Sequence, residues 1–219
     1  MLPDRRSFIA GGAASLAAPI LLRASTNGTR IFRVVRDGSD IGQHTLFVSR
    51  SGADVQVAID IELKVKILGI TAYRYEMTNR EVWRDGMLIS MDSKSNDDGA
   101  PAYSRCRAAG GEIEVDGSVW SGVVAGDSAS TTYWTKAFMK RPLWISTADG
   151  DPLKVSAAPA GAGEIGGIAT EKFKISGDMD IDLHYRGDEW VSVRFDAGGE
   201  DAFYVPVDMN QTMASVWAG

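Results

Sequence analysis

Few side chains of this 219-residue sequence are spaced for chemistry. The sharpest cluster is Asp178-Met179-Asp180-Ile181-Asp182, with His184 next on the same side of an extended chain. Alternate strand positions lie about 6–7 Å apart on one face. Carboxylates and an imidazole are ligands for divalent metals, but collinear groups on a strand do not converge on a point. The run therefore reads as a solvated outer face, and no metal site is expected. Ser-His-Asp catalysis would have to use His44 or His184, and no Gly-x-Ser-x-Gly elbow accompanies either. Cys106 is the single cysteine, so it forms no internal disulfide and reads as a small buried apolar side chain. Gly-x-Gly-x-x-Gly is absent. Gly161-Ala162-Gly163 and Gly166-Gly167 lack the preceding strand and following helix that a phosphate cradle needs. No cofactor is expected.

The aromatic side chains are more suggestive. Tyr73, Tyr75, Met77 and Trp83 alternate along one strand face, and Tyr133, Trp134 and Phe138 sit in an irregular segment. Such residues can be packed core. They can also line an apolar cavity in which tyrosine hydroxyls act as polar handles. The candidate ligand-binding residues are Tyr73, Tyr75, Met77, Trp134 and Phe138.

The elements that must position them are strands. Odd positions from Val55 to Ile67 are Val55, Val57, Ile59, Ile61, Leu63, Val65 and Ile67; the even positions are mostly charged. That period of two is a half-buried strand. Met179, Ile181, Leu183 and Tyr185 repeat it. Further strands are expected at 30–36, 41–50, 70–84, 87–95, 102–108, 111–120, 152–158, 168–176, 189–197 and 201–207. Turn signals such as Asp37-Gly38, Asp85-Gly86 and Gly198-Gly199 separate them. Short turns imply consecutive antiparallel hairpins. Residues 157–167 read as a mobile loop. Glu62, Lys64 and Lys66 read as ion-pair partners of Arg74, Glu76 and Arg80 across a hairpin. Strands of about 15 residues would run roughly 50 Å, so they must twist and coil. The expected fold is all-β: one long antiparallel meander curled into a half-barrel or open barrel. Its concave face needs a cover, and residues 130–144, which break the alternation, are expected to supply a short helical lid ending before Pro142.

The N-terminus bears on compartment. Arg5-Arg6 followed by Phe8-Ile9 resembles a twin-arginine export signal, and the apolar stretch from Ile9 to Leu22 is a signal-peptide core, too short for a comfortable membrane span. Residues 1–24 are thus expected to engage the export machinery through Arg5 and Arg6 and to be cleaved after or near Ala24, preferred over Ala18, leaving one domain, 25–219, in the periplasm. The mature chain then loses three arginines and one aspartate, leaving 20 basic and 28 acidic side chains, a net charge of −8. That balance disfavours nucleic acid as a partner.

Several segments together resemble a known family. They are Phe32-Arg33-Val34 with its Asp37-Gly38 turn, Tyr73-Arg74-Tyr75 running into Glu81-Val82-Trp83, Asp97-Asp98-Gly99, and Tyr133-Trp134. They resemble an exported proteobacterial family of unknown function, domain-of-unknown-function family 6134. The resemblance speaks for the fold and assigns no chemistry. At a greater distance the layout is similar to the half-barrels of periplasmic lipoprotein carriers, which hold acyl chains between a concave sheet and a helical lid. The function expected from this layout is binding or carriage of a hydrophobic small molecule, such as a fatty acyl chain or envelope lipid. An enzyme or accessory in lipid modification and a cofactor-free structural protein of envelope assembly are the alternatives.

Overall fold

The computed structural model describes residues 26–67 and 69–207. The expected signal peptide and its cleavage site lie outside them. The described chain forms fifteen strands. The first eight are β1 (Thr26–Arg36), β2 (Ser39–Ser51), β3 (Asp54–Ile67), β4 (Ile70–Arg84), β5 (Met87–Asp97), β6 (Ala100–Ala109), β7 (Glu112–Gly117) and β8 (Ser121–Ala125). Two short strands follow, β9 (Ala129–Ser130) and β10 (Leu143–Ile145). The described residues end in β11 (Pro152–Ile165), β12 (Ile168–Gly177), β13 (Ile181–Arg186), β14 (Glu189–Asp196) and β15 (Asp201–Pro206).

All fifteen belong to one open sheet, in the order β8-β7-β6-β5-β4-β3-β2-β1-β15-β14-β13-β12-β11-β10-β9. The first and last strands therefore pair at its centre, with Phe32 opposite Pro206. The two outermost strands, β8 and β9, are joined by only residues 126–128. Four Cα–Cα steps of 3.8 Å reach at most about 15 Å, so the sheet has to curl until its edges come near each other. Local sequence drives the hairpins. Asp37-Gly38, Asp85-Gly86 and Asp98-Gly99 have positive φ at both residues, the turn geometry whose twist matches antiparallel strands.

The alternation sets the faces. Val55, Val57, Ile59 and Ile61 are buried, whereas Asp60, Glu62 and Lys64 are exposed. Several details differ from expectation. Residues 157–167 are no loop: β11 continues to Ile165 and pairs with β12, with a bulge between Pro159 and Ala162. The strand expected over 111–120 stops at Gly117, where a side chain would lie 2.2 Å from the Asp149 carbonyl oxygen. The expected cross-strand ion pairs do not form, because the register sets Glu62 opposite Glu76 and Lys64 opposite Arg74. Arg80 pairs instead with Asp60 at 3.0 Å, and Arg84 with Asp54 at 2.6 Å.

The segment expected to be helical, 130–144, contains a five-residue 3-10 helix, Lys136–Lys140. The Thr135 hydroxyl accepts from the Ala137 N–H and caps its start. The segment runs inside the curl. Trp134 and Phe138 pack against Trp83, with ring centroids 6.1 and 4.8 Å away, and Trp144 is fully buried beside them.

Candidate functional site

A cavity of about 360 Å³ opens between the concave sheet and this internal segment. Four regions of the chain build it. From β3 and β4 come Ile59, Ile61, Leu63, Tyr73, Tyr75 and Met77, all at alternate positions of one strand face. From the internal segment come Thr131, Thr132, Tyr133 and Ser146 to Ala148. Met179, Trp190, Phe195 and Tyr204 come from the C-terminal strands, and His44 from β2. Deeply buried residues (His44, Ile59, Met77, Trp190, Tyr204) form the floor, and half-buried ones (Leu63, Tyr73, Met179, Phe195) lie towards the rim. No Asp, Glu, Lys or Arg lines it.

Two bulges flank floor residues, and one of them aims its neighbour inward. Opposite His184 and Tyr185, β14 carries Val191 as an extra residue between Trp190 and Ser192. A bulge reverses the facing of the residues on its far side, so Trp190 turns inward beyond Val193. In β2 the register shifts between Asp40 and Gly42, leaving Ile41 unpaired. Gly42 is required there: its φ is +142°, and a Cβ would sit 2.0 Å from the Glu62 carbonyl oxygen. Two residues further on, His44 points inward in phase with Leu46 and Val48.

His44 stands in an aromatic cage. The rings of Phe32, Trp190 and Tyr204 present edges or faces to it at centroid distances of 5.6, 5.3 and 5.3 Å. Both its ring nitrogens are buried without a hydrogen-bond partner. Burial pushes its pKa down to about 3, so the ring is neutral. Burial likewise raises the hydroxyl pKa values of Tyr75, Tyr133 and Tyr204, and these groups lie near enough to influence one another's ionisation. Tyr133 holds a left-handed backbone with φ +56°, uncommon for a bulky residue and typical of sites where surrounding structure enforces it. Its carbonyl accepts from the Tyr185 hydroxyl at 2.9 Å, and its own hydroxyl donates to the Met179 sulfur at 3.6 Å.

Of the five residues expected from sequence to bind a ligand, Tyr73, Tyr75 and Met77 come together in the cavity wall. Trp134 and Phe138 lie elsewhere, in the packed cluster around Trp83 over which the Arg141 guanidinium stacks. His44, Trp190 and Tyr204 are cavity-lining residues that sequence reasoning misses. The signal that could find His44 is phase, since it alternates with Leu46 and Val48, but a lone histidine in a strand gives no hint that its nitrogens lack partners.

The other chemical candidates are accounted for. Asp180 is exposed and pairs with Lys174, and Asp182 pairs with Lys172 at 2.7 Å. His184 is not on a solvated face: it is buried, 3.0 Å from the Thr170 hydroxyl, and the Gly163 backbone packs over it. Among the described residues no three His, Cys, Asp or Glu side chains gather as a metal site requires. A larger groove of about 850 Å³ runs outside β2 and β3, lined by charged residues such as Arg36, Asp60, Glu62 and Lys64. It is wet outer surface and lacks the apolar walls of a small-molecule site.

The sequence profile of a domain of unknown function, DUF6134, matches residues 32–207. No curated protein matches the chain. Among solved structures the chain is similar to a β-barrel-like protein of domain of unknown function DUF1849 from Brucella abortus, with a TM-score of 0.56 and 13% sequence identity. The match covers 85% of this chain and 97% of that one. At this identity the likeness is one of fold.

Proposed function

The chain belongs to the DUF6134 family, and from that premise we propose that it is a periplasmic binding or carrier protein for a hydrophobic small molecule, held between the concave sheet and the internal segment. The observation that carries this reading is the 360 Å³ cavity with aromatic and aliphatic walls and no charged lining residue. Its volume falls at the lower end of the range of small-molecule sites, about 300–1,000 Å³. Each methylene of a guest buried there is worth about 0.8 kcal/mol. In this reading Tyr73, Tyr75 and Met77 touch the guest, and Trp134 and Phe138 hold the internal segment that forms its other wall. What supports the compartment is the Arg5-Arg6 motif and the apolar segment after it.

Native mass spectrometry of protein recovered from the periplasm of a native host tests both parts at once. The expected spectrum contains a species lacking residues 1–24 with an additional apolar small molecule, released on denaturation. Ligand-free protein that also fails to saturate with a fluorescent fatty acid would overturn the carrier reading. Full-length protein confined to the cytoplasm would overturn the compartment.

A further inference from the structure

We infer that the cavity selects an apolar ligand bearing one uncharged oxygen, a hydroxyl or a carbonyl, which pairs with His44 and the nearby Tyr75 and Tyr204 hydroxyls, and that it rejects an ionised head group. This rests on the carrier reading and names the ligand class. His44 is 95% buried, and neither of its ring nitrogens has a hydrogen-bond partner. A buried polar group left unpaired is costly, and native interiors nearly always satisfy one. The neutral imidazole has one N–H donor and one acceptor nitrogen to offer, and the cage of Phe32, Trp190 and Tyr204 holds it at the cavity floor.

Several polar groups of the lining are already engaged. The Thr131 and Thr147 hydroxyls bond each other at 3.0 Å, Thr132 donates to Glu81, and Tyr133 donates to Met179. That leaves the imidazole with the Tyr75, Tyr204 and Ser146 hydroxyls of the lining. A hydroxyl or carbonyl oxygen can use such partners. A carboxylate would be stripped of water with no cation to face it, since no Lys or Arg reaches the cavity.

A homologous series of n-alkanols and the matching n-alkanoates, titrated into the full-length protein at alkaline pH where the acids are ionised, tests this through tryptophan fluorescence, Trp190 being in the wall. The best alkanol should bind at least about tenfold more tightly than its alkanoate. His44→Phe keeps the ring packing and should weaken the alkanol by about tenfold while leaving the alkanoate unchanged. Tyr204→Phe, which deletes one hydroxyl, gives a second reading should the histidine variant fold poorly. Equal affinity for alkanol and alkanoate, or an alkanol affinity unchanged in a folded variant, overturns this inference and leaves the carrier reading standing. Absence of saturable binding by every member of both series overturns the two together.

Discussion

His44 and Glu81 are both buried titratable groups, and they pull the stability of the fold in opposite directions with pH. The Glu81 carboxyl faces inward from β4 and accepts from the Trp83 indole N–H at 2.7 Å, the Asn79 amide at 3.1 Å and the Thr132 hydroxyl at 3.4 Å. Desolvation outweighs these bonds, and its pKa is raised. For a raised acid the folded state keeps a proton that the unfolded state gives up. Its stabilisation is therefore complete below the unfolded value near 4.3 and declines as pH rises towards the folded value. His44 is the reverse case. The unfolded chain takes up a proton near pH 6.5 that the folded chain refuses until about 3, so stability is lost as pH falls through that window. Denaturant unfolding as a function of pH should accordingly find that Glu81→Gln gains on the parent as pH rises from 5, and that His44→Phe flattens the acid limb between 6.5 and 3, by up to about 1.4 kcal/mol per pH unit. Parallel pH profiles for parent and variants would contradict both assignments. Little of this is legible in the sequence. Alternation places Glu81 in phase with Met77 and Trp83, but the partners that make an inward carboxylate tolerable include Thr132, more than fifty residues away.

At the scale of elements, the cavity depends on where the strands are irregular. The bulge at Ile41–Gly42 interrupts the β1 ladder two residues before His44, and Gly42 leaves no room for a side chain. Gly42→Ala should therefore destabilise the protein by roughly 2–4 kcal/mol, through the backbone clash in addition to conformational strain. Gly38→Ala is the control: its φ is also positive, but no atom lies within 4 Å of a Cβ there, so about 1–2 kcal/mol is expected. Chemical denaturation of the two variants should separate them, and equal losses would show that the clash relaxes freely. The long strands are readable almost to the residue, β3 and β4 above all, because a strict period of two bounded by Asp-Gly and Gly turns admits little else. Their bulges are not, because one extra residue reverses the facing without changing composition. Nor are β8, β9 and β10, whose two to five residues are too few to show any period; their places are fixed by pairing with β7, with each other and with β11.

The whole molecule is an almost closed curl with a gap between β8 and β9. β8 makes a ladder on one side only, with β7, and a strand with one free edge opens more readily than one paired on both sides. Hydrogen–deuterium exchange should find the amides of Ser121–Ala125 exchanging by local opening, well ahead of those of Ile59 to Leu63 between β2 and β4; uniform protection across both would show that the edge is sealed. The opposite part of the sheet, where β1 meets β15, has a different bearing. Phe32 pairs with Pro206, 174 positions later, and bringing together ends so far apart costs roughly 4–5 kcal/mol of chain entropy before any contact offsets it. So non-local a contact belongs to slow folding, on the scale of milliseconds to seconds. Of the fifteen described strands the ribosome delivers β15 last. Until then β1 and β14 each present an unpaired edge at what will become the middle of the sheet, open to strands of other chains. The nascent protein must therefore wait, with its centre missing, until Asp201–Pro206 emerges.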